Sequence, residues 1–199
     1  MTVGKLSWGA ALTALVMIAA HSQRTDAQPV PAGSLVRRTL ATDTTIDGVP
    51  CARSSRAPAE FHLNGRLAGC ALSREHVVGT HRFGTGTWLD SNDHGTLWGA
   101  WLEHDTLLDG HLCRGEGYKK WSASFHPNGR LAGCYLTKDT VVEGVPCMAG
   151  TFLREIRGGG RTALRLDDKG GLARCQAARA TTLNGRVIRK WDVVDRSRS

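Results

Sequence analysis

The sequence predicts an all-β protein: an antiparallel β-hairpin repeat array of four units whose sheet meanders and is either open or curled. Three observations predict it. The phrase Phe61-His62-Leu63-Asn64-Gly65-Arg66-Leu67-Ala68-Gly69-Cys70 returns as Phe125-His126-Pro127-Asn128-Gly129-Arg130-Leu131-Ala132-Gly133-Cys134. A second phrase, ending Gly-Val-Pro-Cys, closes at Cys51 and again at Cys147. The chain of 199 residues also carries 24 glycines without a three-residue period, which marks turns between short strands. Self-similarity at such periods means a stack of supersecondary units.

Five glycines follow strand-like stretches: Gly48, Gly79, Gly110, Gly144 and Gly185, at spacings of 31, 31, 34 and 41 residues. The drift is absorbed near Arg114–Lys120 and at Arg157-Gly158-Gly159-Gly160-Arg161, where insertions belong in loops. Each full unit has a second landmark: Asn64-Gly65, His94-Gly95, Asn128-Gly129 and Gly170-Gly171. Asn-Gly between apolar stretches is a strong hairpin signal, because positive φ costs little at both positions. One unit therefore reads as a strand, a turn at Gly-Val-Pro, a second strand, a hairpin, then a strand with apolar residues two apart. Alternation places Leu131, Gly133 and Tyr135 on one face and Ala132, Cys134 and Leu136 on the other. No helical period is visible beyond the amino-terminal segment.

The first 27 residues have the layout of a secretory signal peptide: Lys5, an apolar run from Leu6 to Ala20, then polar residues. Small residues at Thr25 and Ala27 place cleavage before Gln28, with Ala20 as the second candidate site and an uncleaved anchor as the alternative. Residues 28–37 read as a flexible lead, 38–191 as a single β-repeat domain and 192–199 as a polar tail. The expected location is the periplasm or the exterior, after cleavage.

Export makes the cysteines legible. Six cysteines allow fifteen connectivities, but the repeat narrows them. Each unit has one slot three residues after its glycine and one after its hairpin. Cys51 and Cys70, Cys113 and Cys134, and Cys147 and Cys175 fill these slots. Unit two, with Arg82 and Ala100, lacks both. Joint loss is what a bond within each unit predicts, so the expected pairs are Cys51–Cys70, Cys113–Cys134 and Cys147–Cys175. A zinc site would need four ligands at one point, and cysteines spread one pair per unit do not gather so; no metal or cofactor is expected. Trp88, Trp98 and Trp101 lie near unit two's missing bond, and core packing in its place is the first reading of them. Stacking of an exposed Trp98 or Trp101 on a sugar ring is the second.

Chemistry is sparse. Asp43 and Asp47, Asp105 and Asp109, and Asp139 and Glu143 recur beside the turns, as turn-capping carboxylates do. His104, Asp105, Asp109 and His111 form the best local cluster for proton transfer or a weak metal site. No Gly-x-Ser-x-Gly elbow and no phosphate loop occurs. Arg66 and Arg130 recur at the hairpins, and Arg157 and Arg161 flank a glycine-rich insertion that suits an exposed basic loop. The net charge of +8 suits, in an exported protein, an anionic envelope polymer or lipid head groups. Aromatic interleaving of the kind that binds single-stranded nucleic acid is absent, so nucleic acid is not an expected partner.

The residues Phe61, Asn64, Gly65, Arg66 and Leu67, with Phe125, Asn128, Gly129, Arg130 and Leu131, resemble the glycine-marked hairpin repeats of the MORN type in bacteria. The resemblance covers roughly residues 44–188. It implies an elongated open sheet used for scaffolding, protein contacts and membrane-surface contacts rather than catalysis. The chain departs from that pattern in its longer unit and its paired cysteines. The expected function is a structural or binding module at the cell envelope, with another protein or a second copy as further partners. The alternative is an enzyme acting on an envelope polymer or glycan, with its site near His104–His111 or Trp98 and Trp101.

Overall fold

The computed structural model describes residues 35–157, 162–183 and 185–196. The expected signal peptide and Arg161 lie outside them. Twenty short strands follow in order: β1 (Val36–Arg38), β2 (Thr44–Ile46), β3 (Val49–Cys51), β4 (Ala59–Phe61), β5 (Leu67–Ala71), β6 (His76–Val78), β7 (His81–Phe83), β8 (Trp88–Ser91), β9 (Leu97–Trp101) and β10 (Thr106–Leu108). They continue with β11 (His111–Cys113), β12 (Ala123–Phe125), β13 (Leu131–Cys134), β14 (Thr140–Val142), β15 (Val145–Cys147), β16 (Leu164–Leu166), β17 (Leu172–Gln176), β18 (Thr181–Leu183), β19 (Arg186–Ile188) and β20 (Val193–Asp195). One helix, α1 (Phe152–Arg157), lies between β15 and β16.

Ten strands form one antiparallel meander in the order β1-β4-β5-β8-β9-β12-β13-β16-β17-β20, open at both edges. The other ten form five two-stranded ribbons, one at each crossover. The unit is thus a sheet hairpin plus a ribbon. Ribbon cysteines bridge to the sheet, as Cys51 does opposite Leu72, Cys113 opposite Leu136 and Cys147 opposite Ala177.

The ribbon turns lie one step earlier than the sequence suggested. Asp47-Gly48, Asp109-Gly110 and Glu143-Gly144 all have positive φ at both residues, as a type I′ two-residue hairpin requires. Val-Pro-Cys is therefore strand, not turn. The Asn-Gly landmark is a different device. Only Gly65 and Gly129 there have positive φ; Asn64 and Asn128 do not. Gly65 N donates to His62 O and His62 N to Arg66 O, which with the register shift beside Phe61 makes a longer loop closed by a bulge.

That bulge moves Leu131 to the other face. Phe125 opposes Leu131 while Ser124 opposes Gly133, so Ala132 is the extra residue. Leu131 joins Cys134 and Leu136 in the core instead of facing outward with Gly133. Beneath the ribbons, Cys70, Leu89, Ala100, Ala123, Cys134 and Leu164 form one cross-strand row, every member buried. The opposite, outer face carries a row that crosses all ten strands: Arg37, Glu60, Gly69, Asp90, Gly99, Ser124, Gly133, Arg165, Arg174 and Asp195.

The disulfides are Cys51–Cys70, Cys113–Cys134 and Cys147–Cys175, one within each of three units, as the joint loss in unit two predicts. The residue that replaces the crosslink is another matter. Phe83 opposes His76 in its ribbon as Cys51 opposes Thr44. In this ribbon the turn is Gly79-Thr80, with positive φ at Gly79 only. The glycine has changed place within the turn, so counting from it lands on the exposed Arg82 instead of Phe83. Phe83 is fully buried and shares the core with Ala100. A buried phenylalanine and a buried alanine hold the two slots where the other units have a disulfide. Trp88 and Trp101 do not fill this role, because they stack on the outer face.

Two boundaries also shift. Val36 and Arg37, expected in the lead, pair with β4 as an edge strand. Val193–Asp195, expected in the tail, pair with β17 as the other edge. The short helix α1 is an addition to the expected elements and ends at Arg157, where the predicted insertion begins. Thr151 Oγ1 accepts from Arg154 N at its start, and Glu116 Oε2 accepts from Phe152 N.

Candidate glycan-binding face

The recurring phrase is a fastener between units. His62 Nε2 donates to Ser91 O at 2.8 Å, Asn64 Nδ2 to Asp93 O at 2.9 Å and Arg66 Nη1 to His94 O at 2.7 Å. Unit three grips unit four alike, with His126 Nε2 on Leu166 O and Asn128 Nδ2 on Asp168 O. Units two and four carry Asn92 and Asp167 where the histidines stand, and these accept their own loop's N–H groups. The paired carboxylates are equally occupied. Asp47 and Asp109 accept from Leu67 N and Leu131 N, while Asp43, Asp105 and Asp139 accept from Arg53 N, Gly115 N and Ala149 N.

The expected site residues separate on this frame. His104 sits before β10, and His111 opposes Leu108 beyond the far end of that strand, so the ribbon's length keeps them apart. No group of three His, Cys, Asp or Glu among the described residues could hold a metal. Burial lowers the pKa of His111 against the opposing pull of Asp109. Arg66 is committed to His94 O and lies 3.8 Å from Asp47. Arg130 packs over Gly170 as Arg66 does over Gly95. Arg157 is exposed at the end of α1.

Trp98 is different. The bulge in unit two pairs Asp90 with Gly99 and Ser91 with Leu97, so Trp98 is the extra residue. The other units place alanine at this point: Ala68, Ala132 and, between Leu172 and Arg174, Ala173. A bulge re-aims its side chain, and Trp98 is 49% exposed. It lines a cleft of about 600 Å³ with Leu35, His62, Leu63, Asn64, Asn92 and Asp93. An apolar floor beside amides and a carboxylate can stack a sugar ring and bond its hydroxyls.

Further along the same two strands lies an aromatic group that the sequence reading missed as a unit. Trp101 stacks on Trp88 with ring centroids 5.4 Å apart, and Tyr118 packs on both. Tyr118 comes from the inserted loop near Arg114–Lys120, folded back over the sheet. Beside them Asp90 is 7% exposed. Trp88 Nε1 donates to its Oδ1 at 2.6 Å, while Oδ2 has no hydrogen-bond partner among the described residues. Burial raises its pKa to about 6; the Trp88 bond opposes this and the charge of Glu60 adds to it. Glu60 itself accepts from Arg37 Nε at 2.8 Å. The signal for this site was the departure of unit two from its siblings.

No helix among the described residues is long and apolar enough to cross a membrane. Set beside protein-family models, curated proteins and solved structures, the chain matches none.

Proposed function

We propose that the protein is an exported, non-catalytic binding module of the cell envelope that holds a glycan on its outer sheet face, with one sugar ring stacked on Trp98. The observation that carries this reading is the bulge position itself. Three units put alanine there, and unit two puts an exposed indole into a cleft lined by Asn64, Asn92 and Asp93. Three disulfides suit an oxidising destination, and the amino-terminal layout suits export. The MORN-type resemblance supports a scaffold that presents a surface. Titration of the mature protein with soluble cell-wall and capsular oligosaccharides tests the reading by tryptophan fluorescence and calorimetry. Binding that Trp98→Ala removes without lowering Tm supports it. Binding that survives Trp98→Ala at full strength defeats it.

A glycan-cleaving enzyme is the second reading, on one observation. Glu60 and Asp90 share a cross-strand row; the first is ion-paired to Arg37 and the second is buried with its pKa raised to about 6, as a general acid on a glycosidic oxygen would be. Hydrolysis that Asp90→Asn abolishes while binding persists would establish it.

A further inference from the structure

On the sheet edge opposite the Asn-Gly loops, each sheet strand passes into the next ribbon through a short link. The links are equivalent: Leu72-Ser73-Arg74, Leu102-Glu103-His104, Leu136-Thr137-Lys138 and Ala177-Ala178-Arg179. The first residue of each is buried and the third is exposed. Ser73 N, Thr137 N and Ala178 N bond back to Pro50 O, Leu112 O and Pro146 O, so three of the four links share one backbone path. Thr106 Oγ1 and Thr140 Oγ1 donate to the carbonyls of His104 and Lys138, fixing the backbone under those side chains. Units one, three and four therefore raise a basic side chain from the same backbone path, and unit two places His104 at the matching sequence position, with Glu103 N donating to Thr87 Oγ1.

Beside the cations the edge is notched, and the notch recurs. One is lined by Asp43, Thr44, Thr45, Pro50, Ser73 and Arg74, another by Asp139, Thr140, Val141, Pro146, Ala178 and Arg179. These are the same positions of the unit, taken from its first and last full copies. The carboxylates in the notches accept backbone N–H groups from Arg53 and Ala149. Arg74, Lys138 and Arg179 form no ion pair with a described residue. Arg74 contributes, after burial, to lowering the pKa of His76. Nearby Glu75 is paired with Arg82. Successive links are two sheet strands apart, about 10 Å at the usual strand spacing.

We propose that this edge is a binding site for a linear acidic polysaccharide, whose charged groups run in single file past Arg74, His104, Lys138 and Arg179. The polymer is matched by cations that recur two sheet strands apart and by the notches beside Arg74 and Arg179. The site is independent of the Trp98 cleft, which lies at the other end of the strands.

Heparin, a sulfated polymer, and polygalacturonate, a carboxylated one, are the probes, with the mature protein in a salt series. The triple variant Arg74→Glu, Lys138→Glu, Arg179→Glu is expected to lose at least tenfold in affinity. Its slope of log affinity against log salt should fall by about three, one per lost contact. Arg74→Gln, Lys138→Gln, Arg179→Gln should fall between it and the parent. An equal charge change off the row, Arg56→Glu, Lys169→Glu, Arg186→Glu, should stay within twofold of the parent. Equal loss in that control would overturn the site in favour of diffuse charge. Failure of the parent to bind either polymer, or anionic-lipid vesicles bound with the same variant dependence, would overturn the assignment to a polysaccharide. Binding of only one probe fixes whether the acid is sulfate or carboxylate.

Discussion

If Phe83 and Ala100 occupy a disulfide's place, the chain should accept the missing disulfide there and nowhere nearby. The perturbation is Phe83→Cys with Ala100→Cys. Phe83 holds the ribbon register of Cys51, and Ala100 lies in the buried row with Cys70 and Cys134. Removing the ring alone, as Phe83→Ala, should cost about 3–5 kcal/mol, since the site is fully buried. A bond closing a loop of about 17 residues returns about 3 kcal/mol by chain entropy. The oxidised double variant should therefore unfold within about 2 kcal/mol of the parent, and Phe83→Ala well below both. Intact mass and thiol titration report the bond, and urea denaturation without reductant reports stability. The pair chosen by counting from the glycine, Arg82→Cys with Ala100→Cys, should keep its thiols free, because Arg82 points outward to Glu75. If that pair bonds and the Phe83 pair does not, the assignment of the slot is wrong.

Other outcomes follow from single sites. Asp90 has its folded pKa raised from 3.8 to about 6, so the native state holds a proton that the unfolded chain releases. The parent should lose stability as pH rises from about 4 to about 6, by up to about 3 kcal/mol; Asp90→Asn should flatten that slope in urea denaturation at stepped pH, and an unchanged slope would place the titration elsewhere. Cys147→Ser with Cys175→Ser opens the longest of the three loops, 28 residues, and should cost about 3–4 kcal/mol by chemical denaturation. A methyl group on Gly133 would meet Leu164 O at 2.6 Å, so Gly133→Ala should lower stability by about 1–3 kcal/mol, measured by its Tm.

Much of this architecture was legible because copies can be compared. The repeated phrase located the hairpins, and the joint absence in unit two gave the disulfide pairing. What escaped the sequence was position to within one residue. Gly79 occupies the first place of its turn where Gly48, Gly110 and Gly144 occupy the second, and that one-residue shift hid Phe83. The bulges at Ala68, Ala132 and Trp98 break the alternation that strand reasoning relies on, which misplaced Leu131 and concealed why Trp98 is exposed. The helix α1 is too short to show a period. Buried Glu155 holds it, accepting from Thr162 N, Thr162 Oγ1 and Ala163 N, a long-range contact that no local pattern reveals. The Trp88–Trp101–Tyr118 group joins two strands and an inserted loop, so only the fold assembles it.

The central claim is an open array whose disulfides each lie within one unit, and non-reducing peptide mapping of the mature protein tests it most directly. The account predicts linked peptides containing Cys51 with Cys70, Cys113 with Cys134 and Cys147 with Cys175. A peptide linking Cys70 to Cys113, or any bridge between units, would contradict it.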